Sequence, residues 1–186
     1  IDVSEAKKRG ILVTNTPGVL TEAVAEHTVA LLFAIAERIV EADRYTRAGK
    51  YKAWGPKLLL GADIKGRTLG IIGLGRIGSE VARRMRDGFD VNIIYYDIKR
   101  NEDLEKKYGI EYRQLDDLLK EADFVSLHVN LTEQTRHLIN AEKLRLMKPT
   151  AYLINTSRGP VIDEAALVDV LRNKIIAGAA LDVYEN

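Results

Sequence analysis

The sequence contains no cysteine, which excludes disulfide bonds and cysteine-ligated metal sites. This composition fits a reducing compartment, and we therefore expect a cytoplasmic protein. No apolar run reaches the length of a transmembrane helix, and no secretory signal opens the chain. Positive and negative charges nearly cancel, with 28 Lys and Arg residues against 27 Asp and Glu residues, so neither a nucleic-acid binder nor a membrane-surface binder is expected.

The residues that are present are sufficient for one well-filled core, since the chain has 186 residues of which 46% are hydrophobic. Six short apolar runs alternate with segments of helical periodicity. Strands that are apolar along their length and separated by helices are typical of a parallel sheet covered on both faces. The sequence thus predicts an α/β fold with a doubly wound parallel sheet of the Rossmann type. The predicted strands are residues 67–72, 91–96, 110–112, 123–129, 151–155 and 176–183.

The N-terminal part of the chain has a different pattern. Residues 1–9 are predicted to form a short helix, and residues 11–15 a brief strand. Helical periodicity then covers residues 21–47, with Thr21 as the expected N-cap. This segment is either one long helix that carries an interface or a core helix with a break near Arg38, and the sequence favours neither alternative.

A loop at residues 48–65 leads into the first strand of the sheet. It contains three consecutive leucines at positions 58–60, which would form an unusual apolar patch if they were exposed. We expect these leucines to cover part of the core or part of a partner subunit.

A glycine motif joins the first predicted strand of the sheet to a helix: Gly73, Gly75 and Gly78 have the spacing Gly-x-Gly-x-x-Gly. Gly73 permits a tight turn with positive φ. Gly75 has no Cβ, so a pyrophosphate can approach its backbone, and Gly78 lets the helix pack closely on the strand. The free N–H groups of the first helical turn then face the phosphates. In this strand-turn-helix context, the motif predicts a dinucleotide-binding site.

Asp97 ends the next predicted strand, 19 residues after Gly78. A carboxylate at this position accepts hydrogen bonds from both hydroxyls of the adenine ribose and repels a 2′-phosphate. We therefore predict NAD(H) rather than NADP(H) as the cofactor. Lys99 and Arg100 soften this preference, because either cation can swing toward a phosphate.

Other polar residues follow the later strands, at the edge where open parallel sheets bind ligands. Arg158 can clamp the carboxylate of an α-keto acid and stabilise negative charge on its carbonyl oxygen. The alternative for Arg158 is a structural ion pair with Asp163. Asp182 ends the last strand and can accept a hydrogen bond from the nicotinamide carboxamide, although an isolated aspartate there is more often a cap.

The three histidines form no cluster with metal-ligand spacing, and we predict no metal site. His27 is assigned to the apolar side of the helical segment, and His137 to a loop. His128 lies near the cofactor edge and is the only histidine we consider as a base. An isolated histidine in an apolar strand is more often a structural group.

Seven short motifs give the chain a specific resemblance to the D-isomer-specific 2-hydroxyacid dehydrogenases, and among them to glyoxylate/hydroxypyruvate reductases and phosphoglycerate dehydrogenases. The likeness extends over nearly the whole chain, and the motif that begins at Asn155 is the most specific. The motifs are Asn15-Thr-Pro-Gly, Val24-Ala-Glu-His-Thr28, Gly73-Leu-Gly-Arg-Ile-Gly78, Leu127-His-Val, Leu146-Met-Lys-Pro149, Asn155-Thr-Ser-Arg-Gly159 and Gly178-Ala-Ala-Leu-Asp-Val183.

The resemblance implies a role for individual residues. Arg158 matches the catalytic arginine that binds the substrate carboxylate and carbonyl, and Asp97 matches the ribose-binding acid. Asn130 departs from the proline that is usual at its position, so the adenine-side loop is expected to differ slightly. The other implied cofactor contacts are Arg76 and Ile77 at the pyrophosphate, Val129 and Thr156 along the adenosine and nicotinamide sites, Thr28 and Asp182 near the nicotinamide, and Ser157 beside Arg158.

The resemblance also implies a larger enzyme that forms a homodimer. In the family, a histidine paired with a glutamate donates the proton to the new alcohol. By its spacing from Arg158, that glutamate would fall one position beyond Asn186, and Glu185 is not in register with it. Residues 1–20 resemble the end of the substrate domain and the crossover, and residues 21–186 the dinucleotide-binding domain, so we expect most of the substrate domain to be missing.

Two functions remain open at this point. The first is an oxidoreductase that transfers a hydride between NAD(H) and a small D-2-hydroxy acid or 2-keto acid, such as glyoxylate, hydroxypyruvate or a phosphoglycerate-like compound. The second is an NAD(H)-sensing, corepressor-like module without turnover. The presence of Arg158 at a strand end, where it can bind a substrate carboxylate, favours the enzyme.

Overall fold

The computed structural model describes residues 1–185 and contains one six-stranded sheet. Asn186, the last residue of the predicted dinucleotide-binding domain, lies outside the described residues. The strands are β1 (Thr68–Ile72), β2 (Asn92–Tyr96), β3 (Glu111–Tyr112), β4 (Phe124–Leu127), β5 (Tyr152–Asn155) and β6 (Gly178–Leu181).

All neighbouring strands are parallel, and their order is β3-β2-β1-β4-β5-β6. The chain winds outward from β1 in one direction and from β4 in the other, so the switch point lies between these two strands. Ligands of doubly wound sheets bind at this point, beyond the carboxyl ends of the strands. The predicted fold class is confirmed.

Helices cover both faces of the sheet. Several of them follow a residue whose side chain accepts a hydrogen bond from the first turn, and Asn101, Asn140 and Asp163 are such N-caps. The helices are α1 (Val3–Lys8), α2 (Thr21–Ala36), α3 (Ile39–Arg47), α4 (Arg76–Phe89), α5 (Glu102–Tyr108), α6 (Leu115–Glu121), α7 (Ala141–Leu146) and α8 (Glu164–Arg172).

Two apolar layers hold the sheet between the helices. On one face, Leu32 of α2 and Met85 of α4 are fully buried against the sheet. On the other face, Leu118 of α6 and Leu144 of α7 are fully buried. Burial of such a side chain stabilises a fold by about 1.5–3 kcal/mol, so both layers fix the strand ends on a rigid base. Within residues 1–185, no helix is both long enough and apolar enough to cross a membrane.

The segment 21–47 consists of two helices rather than one. Arg38 interrupts it in the left-handed conformation, with φ at 54°. Its guanidinium binds the Glu41 carboxylate at 2.8 and 2.7 Å, and the Ala36 carbonyl accepts from the N–H of Ala62. The predicted alternative with a break near Arg38 is therefore confirmed. Thr21 is not the N-cap: α2 is capped by Leu20 without a side-chain hydrogen bond.

The predicted strand at residues 11–15 was wrong. Among the strands that the structure describes, none pairs with this segment, and Leu12 is 88% exposed. A β-propensity pattern without a partner strand does not form a strand. Of the leucines at 58–60, Leu58 and Leu60 do not cover the core of this chain, because they are 38% and 69% exposed, whereas Leu59 is half-buried. Coverage of a partner subunit by these leucines stays a prediction.

Candidate functional site

The glycine turn after β1 has the geometry that its sequence predicts. Gly73 has a φ of +96°, and a Cβ at this position would lie 2.8 Å from the carbonyl carbon of His128. A Cβ on Gly78 would lie 2.1 Å from the carbonyl oxygen of Gly73, which is too close for any side chain. At Gly75, in contrast, a Cβ would meet no atom within 4 Å. Packing thus requires two of the glycines, and the third leaves open space for a ligand.

The N-terminus of α4 faces this open space. Gly75 is its N-cap, and the N–H of Ser79 donates the first bond of the helix to the Gly75 carbonyl at 2.9 Å. The N–H groups of Arg76, Ile77 and Gly78 precede that bond and have no carbonyl partner within the helix. Such groups, together with the positive end of the helix dipole, bind phosphate. The turn therefore fits a pyrophosphate.

Asp97 follows β2 and is tied to the glycine turn. Its Oδ2 accepts a hydrogen bond from the N–H of Leu74 at 2.8 Å, a partner that the sequence did not reveal. Asp97 and the neighbouring Gly73 line a cavity of about 500 Å³, a volume within the range of small-molecule sites. This cavity is lined by Gly73, Gly75, Tyr96, Asp97, Ile98, His128, Val129, Asn130, Thr132, Gln134, Thr135 and Leu138.

The loop after β4 forms the opposite wall of this cavity. The carbonyl of Asn130 accepts a hydrogen bond from the Thr135 hydroxyl at 2.6 Å, and the same hydroxyl accepts from the N–H of Thr132 at 2.7 Å. These bonds hold the loop as a compact turn beside Val129. The predicted cofactor residues Gly73, Gly75, Asp97 and Val129 are thus brought together around one cavity.

A second group of predicted residues lies at the ends of β5 and β6. The hydroxyls of Thr28 and Thr156 are 2.8 Å apart and belong to two buried side chains. The Thr28 hydroxyl also lies 2.7 Å from the Val24 carbonyl, to which it can only donate, so it accepts from Thr156. This contact fixes α2 against the end of β5.

Arg158 projects from the segment that follows β5. Its side chain is exposed, and its Nη1 donates to the Ser157 carbonyl at 2.7 Å. The structural alternative, an ion pair with Asp163, was wrong, because Asp163 caps α8 by accepting from the N–H of Ala166. Among residues 1–185, no carboxylate forms an ion pair with Arg158. Its guanidinium is therefore available to an anionic ligand.

Asn155 supports this segment, and our sequence reasoning assigned it no role. Its Oδ1 accepts from both the N–H and the hydroxyl of Ser157, at 2.9 and 2.8 Å, and its Nδ2 donates to the Arg158 carbonyl at 3.0 Å. The side chain is fully buried. A polar residue that closes an apolar strand directly before Thr-Ser-Arg was the signal that could have indicated this role.

Asp182 lies at the end of β6 and pairs with His27. Nε2 of His27 is 3.3 Å from Oδ1 of Asp182, and about half of each side chain is exposed. The assignment of His27 to the apolar side of its helix was wrong, because it stands on the face of α2 that looks toward the strand ends. The hydrogen bond from the Asp182 N–H to the Asn155 carbonyl, at 3.0 Å, places this pair next to the Arg158 segment.

The other two histidines have structural partners. His128 Nε2 lies 2.9 Å from the hydroxyl of Ser126, and burial lowers the pKa of His128 to about 4. An imidazole with a pKa this low is a weak base, and its hydrogen-bonded partner Ser126 favours the structural interpretation. His137 Nε2 lies 3.0 Å from the carboxylate of Glu185, and this contact lowers the pKa of Glu185. In the described part of the chain, no group of three His, Asp or Glu side chains is arranged to hold a metal ion.

Comparison with known proteins identifies the family to which the chain belongs. The family model of the NAD-binding domain of D-isomer-specific 2-hydroxyacid dehydrogenases matches residues 29–186. The chain belongs to this family. The predicted family resemblance and NAD as the cofactor are thereby confirmed, and the open cradle at Gly75 with the free N–H groups of α4 fits this cofactor.

Individual members of the family show how far the likeness extends. The glyoxylate reductase of Korarchaeum cryptofilum is 61% identical over 186 residues, which are 100% of this chain and 56% of the relative. A crystal structure of a Thermus thermophilus protein has a TM-score of 0.93 and 48% identity, with 100% of this chain and 57% of that chain covered. The D-lactate dehydrogenase of Aquifex aeolicus, solved with NAD and lactic acid, has a TM-score of 0.89 and 41% identity, with 100% and 55% covered. The chain thus spans about half the length of these relatives.

Proposed function

We propose that this chain is the cofactor-binding part of an NAD-dependent enzyme that interconverts a small 2-keto acid and the corresponding D-2-hydroxy acid. The observation that carries the proposal is the position of Arg158. Its guanidinium forms no ion pair among the described residues, and it stands at the same sheet edge as the glycine turn. An anion clamp beside a dinucleotide site favours a 2-keto acid as substrate.

Each residue of the site has a task in this function. NADH supplies the hydride when it is bound. The α4 N-terminus holds the pyrophosphate, and Asp97 binds the adenine ribose. Arg158 binds the substrate carboxylate with two parallel hydrogen bonds and stabilises the negative charge that develops on the carbonyl oxygen. Asn155 fixes the backbone on which Arg158 stands, so the clamp is positioned before substrate arrives.

Glyoxylate is the substrate that we favour, with hydroxypyruvate and a phosphoglycerate-like compound as the alternatives. The support is that the relative from Korarchaeum cryptofilum, 61% identical to this chain, is named a glyoxylate reductase. A corepressor-like sensor module finds no support among the relatives described above.

We also propose the division of the chain into residues 1–20, as part of a substrate domain and crossover, and residues 21–186. In support, α1 contains no buried residue, and Leu12 and Val19 are 88% and 71% exposed. Apolar side chains that pack on nothing in this chain are expected to pack on another part of the enzyme.

We further propose that the protein forms a homodimer and is located in the cytoplasm. A groove of about 810 Å³ runs between α2, α3 and β6, and its lining includes Leu31, Ile35, Val40 and Tyr184. Val40 and Tyr184 are 54% and 62% exposed, as is expected of a surface that a second copy covers. Light scattering should give a mass of about twice 20.8 kDa, and a single mass near 20.8 kDa would refute the dimer.

The function is tested in two steps. Titration of the 186-residue chain with NADH, followed by the change in NADH fluorescence, should show saturable binding. A polypeptide of the relatives' length that includes this chain should then oxidise NADH with glyoxylate, and less well with hydroxypyruvate. Arg158→Gln in that polypeptide should raise KM and lower kcat while leaving NADH binding unchanged. Absence of NADH oxidation with every 2-keto acid would refute the enzyme.

A further inference from the structure

Arg100, three residues after Asp97, is held in a two-point ion pair. Its Nε donates to Oε1 of Glu105 at 2.8 Å, and its Nη2 donates to Oε2 at 2.7 Å. The Glu105 side chain is only 14% exposed, whereas that of Arg100 is 57% exposed. A guanidinium bound to a carboxylate in this parallel geometry has its fork occupied. The sequence-based expectation that Arg100 can swing toward a phosphate therefore requires that this ion pair first breaks.

Glu105 is itself fixed from the interior of the domain. The hydroxyl of Tyr95, a fully buried residue of β2, donates to Oε1 of Glu105 at 2.7 Å and accepts from the N–H of Asn101 at 2.8 Å. Asn101 in turn caps α5 by accepting from the N–H of Leu104 at 3.1 Å. The carboxylate that holds Arg100 is thus part of a network that begins in the core.

The charge states of this network are stable. The Arg100 guanidinium and the Tyr95 hydroxyl lower the pKa of Glu105 to about 2, so its carboxylate is charged at neutral pH. Burial raises the pKa of Tyr95 to about 12, so its hydroxyl remains a donor. The same carboxylate raises the pKa of Arg100.

The ion pair between Arg100 and Glu105 affects which cofactor can bind, because Arg100 follows Asp97 closely in the chain. Asp97 and Ile98 line the cavity beside the glycine turn, and a phosphate on the ribose 2′ position would approach this turn of the chain. Recognition of a 2′-phosphate uses a nearby arginine. Arg100 is the arginine of residues 97–101, and it is already engaged.

We propose that Glu105 is a specificity-determining residue of the cofactor site, because it holds Arg100 away from the ribose 2′ position. Asp97 repels the 2′-phosphate, and Glu105 withholds Arg100, one of the two cations that would offset this repulsion. The inference rests on the NAD site of the proposed function and adds a second residue to its selectivity. If Glu105 only stabilises α5, its substitution lowers thermal stability and leaves the preference between the two nucleotides unchanged.

The main test measures NADH and NADPH dissociation constants in variants of the 186-residue chain. Asp97→Ser provides a background without the repelling carboxylate. Adding Glu105→Gln, which leaves an acceptor for the Tyr95 hydroxyl, should strengthen NADPH binding about tenfold through one charge-assisted contact, and should change NADH binding less than about twofold. Adding Arg100→Gln as a third substitution should abolish the gain. A gain that survives the loss of Arg100, or no gain in a folded Glu105→Gln variant, would overturn the inference.

A second variant keeps the test decisive if Glu105→Gln does not fold. Arg100→Gln in the Asp97→Ser background should leave the NADPH dissociation constant unchanged, because Arg100 does not reach the phosphate while Glu105 holds it. A severalfold weakening would mean that Arg100 already binds the phosphate and would refute the inference alone. Failure of the unsubstituted chain to bind NADH would overturn both this inference and the proposed function.

Discussion

Nε2 of His27 lies 3.3 Å from Oδ1 of Asp182, and the next residue of the same helix, Thr28, contacts Thr156 at 2.8 Å. Two consecutive residues of α2 therefore contact the ends of two neighbouring strands, β5 and β6. Both strand ends belong to the predicted nicotinamide side of the site. The helix thus positions this side of the site in addition to burying Leu32 in the core.

Asp182→Ala should weaken NADH binding about tenfold, because the nicotinamide carboxamide loses a charged acceptor. Since about half of the Asp182 side chain is exposed, the thermal midpoint should change little. His27→Ala serves as the control, because it removes the partner of the carboxylate and leaves the carboxylate itself, and its effect should be smaller. Unchanged NADH affinity in Asp182→Ala would show that Asp182 is only a strand cap.

Gly75→Ala and Gly78→Ala should separate ligand binding from folding. A Cβ on Gly75 meets open space, so this variant should keep its thermal midpoint and lose NADH affinity by at least about tenfold, because the methyl group occupies the approach of the pyrophosphate. A Cβ on Gly78 would lie 2.1 Å from the Gly73 carbonyl oxygen, so this variant should be destabilised or unfolded. Thermal unfolding followed by circular dichroism and NADH titration measure the two effects. Equal affinity of Gly75→Ala and the unsubstituted chain would argue against the phosphate cradle.

Asp97→Asn should relax the preference for NADH over NADPH by roughly 10–100-fold, because like charges at this distance cost about 1–3 kcal/mol. The amide retains an oxygen that can accept from the N–H of Leu74, so the contact to the glycine turn is preserved. Titration with both nucleotides measures the ratio of dissociation constants. If the ratio of the unsubstituted chain is already near one, Asp97 does not select the cofactor.

The sequence predicts the fold because the apolar runs that indicate strands are also the segments that are buried in the sheet. The run at β1 is apolar, and its residues Leu69, Ile71 and Ile72 are fully buried in the structure. The left-handed Arg38 was harder to locate, because no glycine or proline marks it and its conformation is stabilised by Glu41 and by the chain near Ala62. Contacts between residues distant in sequence have no local signature.

The same distinction applies to the site. The glycines and Asp97 were predictable because each one satisfies a local requirement of the turn or strand end. The contact between His27 and Asp182 and the ion pair between Arg100 and Glu105 depend on how helices lie against the sheet. Charged residues on exposed helix faces have many candidate partners, so the sequence alone could not choose among them.

His128 should make the folded state sensitive to acid. Its pKa is about 4 in the folded protein because of burial, against about 6.5 in the unfolded chain. Between these values, the unfolded chain binds a proton that the folded protein does not, so the free energy of unfolding falls as the pH falls. The loss should reach on the order of 1–2 kcal/mol near pH 5.

Urea unfolding of the unsubstituted chain and of His128→Gln, at pH values from about 7 to about 5, tests this prediction. The free energy of unfolding should change less steeply with pH in the variant. Parallel slopes would show that His128 does not titrate in this way.

The purified 186-residue chain should bind NADH and reduce glyoxylate at no more than a trace rate. Arg158 can hold the carboxylate, but reduction also requires an acid that protonates the developing alkoxide, and His128 is neutral and hydrogen-bonded to Ser126. General acid catalysis contributes about 10²–10⁴-fold, and domain closure contributes further positioning. The measurement is NADH oxidation, followed by the loss of absorbance of the reduced nicotinamide. Arg158→Gln is the control, because any trace that belongs to this site should disappear in it. Steady turnover would contradict the prediction, and its loss in His128→Ala would assign the proton transfer to His128.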